Sequence, residues 1–240
     1  MRWNRTAHET DLPVRLPFAD RAEAGRVLAE RLVPLGLDGA VVLALPRGGV
    51  PVGYEIARRL TAPDRPVPLD VLVTRKIGYP PQPELGVGAI AEGGEPVFDE
   101  DLLARVGLDH AALAPTVAAE RAELERRVLA YRGGRPLPEV ADRPVIVVDD
   151  GLATGGTARA ALRALLGRGP GRLVLAVPVG AAETVRAMER EVGEAGEVVV
   201  LAAPWSFRAV GQWYGHFGQL ADADVTGLLE RAAREREAGR

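Results

Sequence analysis

The stretch Pro144-Val145-Ile146-Val147-Val148-Asp149-Asp150-Gly151-Leu152-Ala153-Thr154-Gly155-Gly156-Thr157-Ala158 constrains the fold more than any other part of the chain. Ile146, Val147 and Val148 form a β-branched run with no polar alternate, as in a parallel strand covered on both faces. From Ala158 to Leu166 apolar and basic residues recur at helical spacing, so the period changes from 2 to 3.6 across the loop. Glycines at the turn let backbone N–H groups approach a ligand, two threonine hydroxyls add donors, and a helix N-terminus adds partial positive charge. The result is an anion cradle of phosphate size. Asp149 and Asp150 stand beside it, and carboxylates accept hydrogen bonds from vicinal hydroxyls, which suits the sugar of a sugar phosphate. A capped turn also uses Asp and Gly, but two acids, a glycine pair and two threonines in one strand-loop-helix fit a ligand site better.

Two other phosphate motifs are excluded. Gly151 to Thr157 has the outline of a P-loop, but Thr157 stands where its lysine belongs. A dinucleotide fold could use Gly48, Gly49 and Gly53 with Asp70. Asp70, however, precedes Val71-Leu72-Val73 at the strand's entry, whereas a ribose-binding acid belongs at the exit.

The remaining pattern predicts an α/β chain. Asp20 and Glu23 form a capping box for a helix to about Leu35. Strands follow at Ala40 to Leu45 and Leu69 to Thr74, around a helix at Val50 to Leu60. Arg75 to Glu95 breaks the rhythm with Pro80, Pro81, Pro83 and five glycines, and reads as an irregular lid ending in a small hairpin, Gly86 to Ala91 with Pro96 to Asp99. Asp109 to Tyr131 is a charged helix with a solvated face and an expected break at Pro115. Strands at Arg172 to Val177 and Glu197 to Leu201 flank a helix at Ala182 to Glu191. Ala203 to Gly218 is irregular and aromatic-rich, and Asp222 to Glu237 closes the chain as a helix. Five parallel strands with helices between them make a doubly wound five-stranded parallel sheet.

With 240 residues, 47% of them hydrophobic, the chain can bury one substantial core. No apolar run approaches membrane-spanning length, and Met1 to Pro17 lacks a signal-peptide apolar region. Zero cysteines exclude disulfides and thiolate chemistry. A net charge of −3 gives no support to nucleic-acid binding. His8, His110 and His216 have no metal-ligand spacing. Glu84 and Glu92 read as solvated surface residues.

Val147 to Thr157 resembles the 5-phosphoribosyl pyrophosphate (PRPP) signature of the type I phosphoribosyltransferases. Its Leu-Ala-Thr-Gly-Gly core is most similar to the uracil phosphoribosyltransferase version. Phe18-Ala19-Asp20-Arg21, Leu45-Pro46-Arg47-Gly48-Gly49-Val50-Pro51 and Ala209-Val210-Gly211-Gln212-Trp213-Tyr214 resemble a poorly characterised branch of the same family. The resemblance implies a phosphoribosyltransferase core over 18–203, with a flexible loop and hairpin at 75–98 and a small hood from 1–17 and 204–240. It implies transfer of 5-phosphoribosyl from PRPP to a nitrogen of a planar, nucleobase-like acceptor, with release of pyrophosphate. PRPP would be held by Arg47, Gly48, Gly49, Asp149, Asp150, Gly151, Leu152, Ala153, Thr154, Gly155, Gly156 and Thr157. Asp149 and Asp150 would also serve catalysis, with Arg75 and Lys76 neutralising the leaving pyrophosphate. Trp205 and Phe207 would contact the acceptor. Mg2+ would be held by substrate oxygens and water, with Asp149 and Asp150 reaching it only through water. A non-proline cis peptide is expected between Pro46 and Arg47. Purine members often carry an acid where Ala153 stands, which argues against a purine acceptor handled that way. The other reading is a PRPP- or nucleotide-sensing regulator without turnover. Expected partners are small molecules, with no nucleic acid and no membrane; homo-oligomerisation is left open, and a cytoplasmic location is expected.

Overall fold

The computed structural model describes residues 14–238; the expectation of an irregular Met1 to Pro17 thus falls mostly outside the described residues. The first helix, α1 (Arg21–Leu32), starts as predicted. Asp20 Oδ1 accepts from the Glu23 N–H at 2.7 Å. The Glu23 carboxylate accepts from Ala19, one residue earlier than a capping box places that bond.

Five parallel strands follow: β1 (Val41–Ala44), β2 (Leu69–Val71), and, after an insertion, β6 (Pro144–Val148), β7 (Arg172–Val179) and β8 (Gly196–Ala202). Their order, β2-β1-β6-β7-β8, is doubly wound. The continuous apolar runs are explained by alternation between two covered faces. Val41, Leu43, Val145, Val147, Leu173 and Leu175 join Ala158, Leu162, Leu165 and Met188 from α5 (Gly156–Leu166) and α6 (Ala182–Val192). Val42, Ile146, Val148, Val174 and Ala176 face Leu28, Leu32, Val52 and Ile56 from α1 and α2 (Gly49–Leu60). Because neighbours in a strand point oppositely, both faces stay apolar only if no polar alternate interrupts.

The strand predicted to reach Thr74 ends at Val71, and the insertion departs from the irregular expectation. Strands β3 (Thr74–Tyr79), β4 (Gln82–Ala91) and β5 (Val97–Phe98) form a second, antiparallel sheet of three. Pro80 and Pro81 occupy the turn of its first hairpin, and the register slips around Gly78. Ala89, Ala91 and Val97 pack on Ala160 and Ala164 of α5. Ile77, Val87 and Ile90 pack with Leu103 of α3 (Glu100–Val106), Leu113, Leu124 and Tyr131 of α4 (His110–Arg132), and Leu229 of α7 (Asp222–Ala238). Exposing Ile77, Val87 and Ile90 together would cost roughly 5–9 kcal/mol. A lid can therefore use only the exposed tip at Pro80 to Glu84.

The expected break at Pro115 is absent: α4 runs through it. Leu113 and Leu124, buried on either side, keep the helix docked against the insertion sheet, and that packing offsets the hydrogen bond that proline removes. The face of α4 is also less solvated than expected, since Glu120 pairs with Arg75 of β3 at 2.7 Å.

An early and a late segment of the described residues meet. Phe18 bridges Tyr214, and Val14, Leu16, Phe207, Val210 and Trp213 pack against that pair. This hood lies at the carboxyl end of β7, through Val179.

Candidate active site at the switch point of the sheet

In this sheet β1 leads to one side and β6 to the other, so the crevice opens between their carboxyl ends, where open α/β sheets bind ligands. Leu45 to Gly49 leaves β1 there and Asp149 to Gly156 leaves β6. The two loops touch. A Cβ on Gly48 would collide with the Asp150 carboxylate, and one on Gly49 with the Val148 carbonyl. Only glycine allows this approach. The Pro46–Arg47 peptide is cis, as the resemblance implies.

The second loop is anchored on its far side. Leu152 is buried; its N–H donates to Val179 O at 2.9 Å and its carbonyl accepts from Ala181 at 2.8 Å. Thr184 Oγ1 donates to Ala153 O at 2.6 Å. Gly155, at φ +74°, turns the chain into α5 with no side-chain cap on the helix. The space beside Gly156 is open, and Thr154 is exposed. The first amides of α5 are therefore uncapped beside open space, with the polarity an anion needs.

Asp149 Oδ1 accepts from the Asp150 N–H at 2.8 Å. Burial, reinforced by the charge of Asp150, pushes the Asp149 carboxyl well above its ordinary range. Burial also raises Asp150, while Arg21 opposes the rise with a 2.8 Å ion pair. Tyr214 OH donates to Asp150 O at 2.5 Å, and its own pKa is raised, first by burial and then by the charge of Asp150.

The other expected site residues lie differently. Arg47 Nη1 donates to Leu220 O at 2.5 Å, and its Nε lies 3.0 Å from Asp222 Oδ1 without hydrogen-bond alignment. Tyr131 OH donates to the same Asp222 oxygen at 2.6 Å. One edge of the Arg47 guanidinium is thus engaged by the start of α7 and the residues just before it. Arg75 is held by Glu120, and Lys76 Nζ donates to Glu84 O at 2.8 Å, so these partners keep both cations on the insertion sheet. Glu92 is not a solvated residue: it pairs with the buried guanidinium of Arg132. Phe207 stacks with Trp213 at 6.4 Å inside the hood, whereas Trp205 is fully exposed. Sequence reasoning missed Arg21 and Asp222. Arg21 was visible only as the last residue of the Phe18 to Arg21 motif, and Asp222 carried no signal beyond being an acid at a helix start.

Fold and geometry define an open, doubly wound α/β protein with an acid-lined crevice at its switch point. The chain belongs to the phosphoribosyl transferase domain family, which it matches over residues 22–192. Curated relatives from two Mycobacterium tuberculosis strains, provisionally named phosphoribosyl transferases, are 47% identical over 218 residues, covering 91% of this chain and 47% of theirs. The chain thus spans about half the length of these relatives. The crystal structure of TT1426 from Thermus thermophilus is similar at 43% identity and a TM-score of 0.74, covering 90% of this chain and 99% of that one. No helix among the described residues is long and apolar enough to cross a membrane.

Proposed function

We infer that this crevice binds PRPP and that the chain transfers its 5-phosphoribosyl group to a nitrogen of a planar, nucleobase-like acceptor. The observation that carries the reading is the contact between the two loops: a bare-backbone turn after β1 meets an acid pair and an uncapped helix start after β6. The 5-phosphate sits at the start of α5, the ribose hydroxyls donate to Asp149 and Asp150, and the pyrophosphate lies along Arg47-Gly48-Gly49.

In the reaction the bond between the anomeric carbon and the pyrophosphate oxygen breaks, and pyrophosphate leaves with the bonding pair. The acceptor nitrogen supplies the pair for the new C–N bond and gives its proton to solvent. The protein contributes alignment and fixed charge, not a nucleophile. Arg47 reaches the pyrophosphate with the edge that Asp222 and Leu220 leave free. Tyr214 and Arg21 hold Asp150 against the sugar. The hood around Phe207 and Trp213 covers the acceptor side.

Asp149 and Asp150 offer acceptors for the waters of a bound Mg2+, and one of the two is already paired with Arg21. That set fits an ion held mainly by PRPP oxygens and water, with the acids in reach of its waters. Bound there, Mg2+ would neutralise charge on the pyrophosphate.

One observation favours the sensing reading: Arg75 and Lys76, assigned to the leaving group, are engaged by Glu120 and Glu84. Pyrophosphate release from PRPP with Mg2+, measured across a panel of purine and pyrimidine bases, separates the readings. Release with at least one base supports transfer. Binding without release for every base supports the sensor, and no binding removes both.

A further inference from the structure

Arg21 is the first residue of α1, directly after the Asp20 cap, and the capping bonds fix where its side chain leaves the helix. Three contacts hold the guanidinium. Nε donates to Asp150 Oδ2 at 2.8 Å, Nη1 donates to Gly218 O at 3.0 Å, and its face lies 3.8 Å from the centre of the Phe217 ring. The side chains of Arg21 and Asp150 are only 12% and 14% exposed. Lysine could supply the charge but not the fork that reaches two acceptors while stacking on a ring.

Asp150 is enclosed from three directions. Arg21 comes from α1, Tyr214 binds its carbonyl from the hood, and its carboxylate lies on the bare backbone of Gly48. The charged or titratable groups around it are Asp149, Arg21 and Tyr214; Arg47 of the neighbouring loop is turned to Asp222. Two adjacent carboxylates in a desolvated crevice cannot both stay charged and aimed without a fixed cation. A ribose hydroxyl needs at least one that does.

We propose that Arg21 is the positioning residue of the crevice. It fixes Asp150 as the charged acceptor for one ribose hydroxyl and, through Phe217 and Gly218, ties the aim of that carboxylate to the segment that follows Tyr214 of the hood. The substrate half of this inference rests on the phosphoribosyl reading; the charge-fixing half does not.

The test uses Arg21→Gln and Arg21→Lys in the full chain, with two measurements. Carbon-13 carboxyl titration of the free protein, in an Asp149→Asn background, follows Asp150 alone. The Gln variant should titrate at higher pH than its parent, and the Lys variant should return to the parent's midpoint. An unmoved midpoint in Arg21→Gln overturns the proposal. Calorimetry with Mg2+ and PRPP, in the background with Asp149 intact, should show affinity at pH 7 reduced at least about tenfold in Arg21→Gln. The loss of affinity toward acid should begin at higher pH. Arg21→Lys should restore the pH limb but only part of the affinity. A merely structural role would lower thermal stability and leave the pH limb in place. If Arg21→Gln does not fold, Arg21→Lys decides: a parental midpoint with weaker binding supports the proposal, and equal binding overturns it. If the unmodified chain binds no PRPP at any pH, the phosphoribosyl reading falls, while the carboxyl titration still decides the role of Arg21.

Discussion

Two arginine–carboxylate clusters stitch distant parts of this chain together, and they differ in charge balance. At the base of the insertion, Arg132 donates to Val71 O at 3.0 Å, to Arg135 O at 3.1 Å and to the Glu92 carboxylate. Arg132 from inside and Arg135 from the exposed rim face Glu92 and Asp70 there, cation for acid. At the crevice Arg21 alone faces Asp149 and Asp150, leaving one carboxylate uncompensated. The first cluster ties α4 to β2 and β4 and is closed by packing. The second lies beside the open space at the start of α5. A cluster matched cation for acid serves the fold, whereas the crevice holds a carboxylate whose charged form is disfavoured until a ligand answers it.

The largest expected effect breaks the balanced cluster. Arg132→Met leaves Glu92 buried without its cation, so unfolding by urea should show a loss of about 3–5 kcal/mol. Replacing Glu92 by Leu as well should recover most of that. No recovery would mean that Arg132 acts through its backbone partners instead.

The second prediction sharpens the contrast at the unbalanced cluster. The carboxyl of Asp149 has a folded-state pKa raised by burial and by Asp150, so its charged form is disfavoured in the fold. A raised carboxyl pKa contributes its stability below the unfolded value near 3.9, and that contribution is lost as pH rises through the folded value. Asp149→Asn removes this loss. The variant should therefore be more stable than the parent at pH 7, with the difference shrinking toward pH 4 in thermal melts. A destabilised variant at neutral pH would contradict the account of an uncompensated charge.

A smaller effect is expected at Asp222, which holds Arg47. Its pKa is lowered, first by the Tyr131 hydroxyl, with Arg47 adding to it. Its contribution is present above the unfolded value and lost as pH falls through the folded one. More than a third of this side chain is exposed, so Asp222→Asn should cost less than about 1 kcal/mol at pH 7 and nothing in strong acid.

The parallel sheet and the loop at Asp149 to Thr157 were legible because their signals are local. A β-branched run, adjacent acids and a glycine pair are read within fifteen residues. In the insertion the pairing of Gly86 to Ala91 with Pro96 to Asp99 was legible too, but the first hairpin was not, because its breakers do other work in three dimensions. Pro80 and Pro81 form the turn, while Gly86 and Gly88 let the strand pass Lys76 and Phe98. Glu92 looked like a surface acid because its partner Arg132 is 40 residues away. Arg21 and Arg47 find their partners 129 and 173 residues away, at separations where no spacing rule applies. The identity of each acid was legible; which arginine would answer it was a property of the fold.

The measurement that tests the central claim most directly is calorimetric titration of PRPP, with and without Mg2+, into the unmodified chain and into Asp149→Asn/Asp150→Asn. The account predicts Mg2+-dependent binding by the unmodified chain and affinity at least about tenfold lower in the double variant, since a charge-assisted hydrogen bond contributes about 1.5–3 kcal/mol. Equal affinity in the two proteins, or no binding by the unmodified chain, would contradict it.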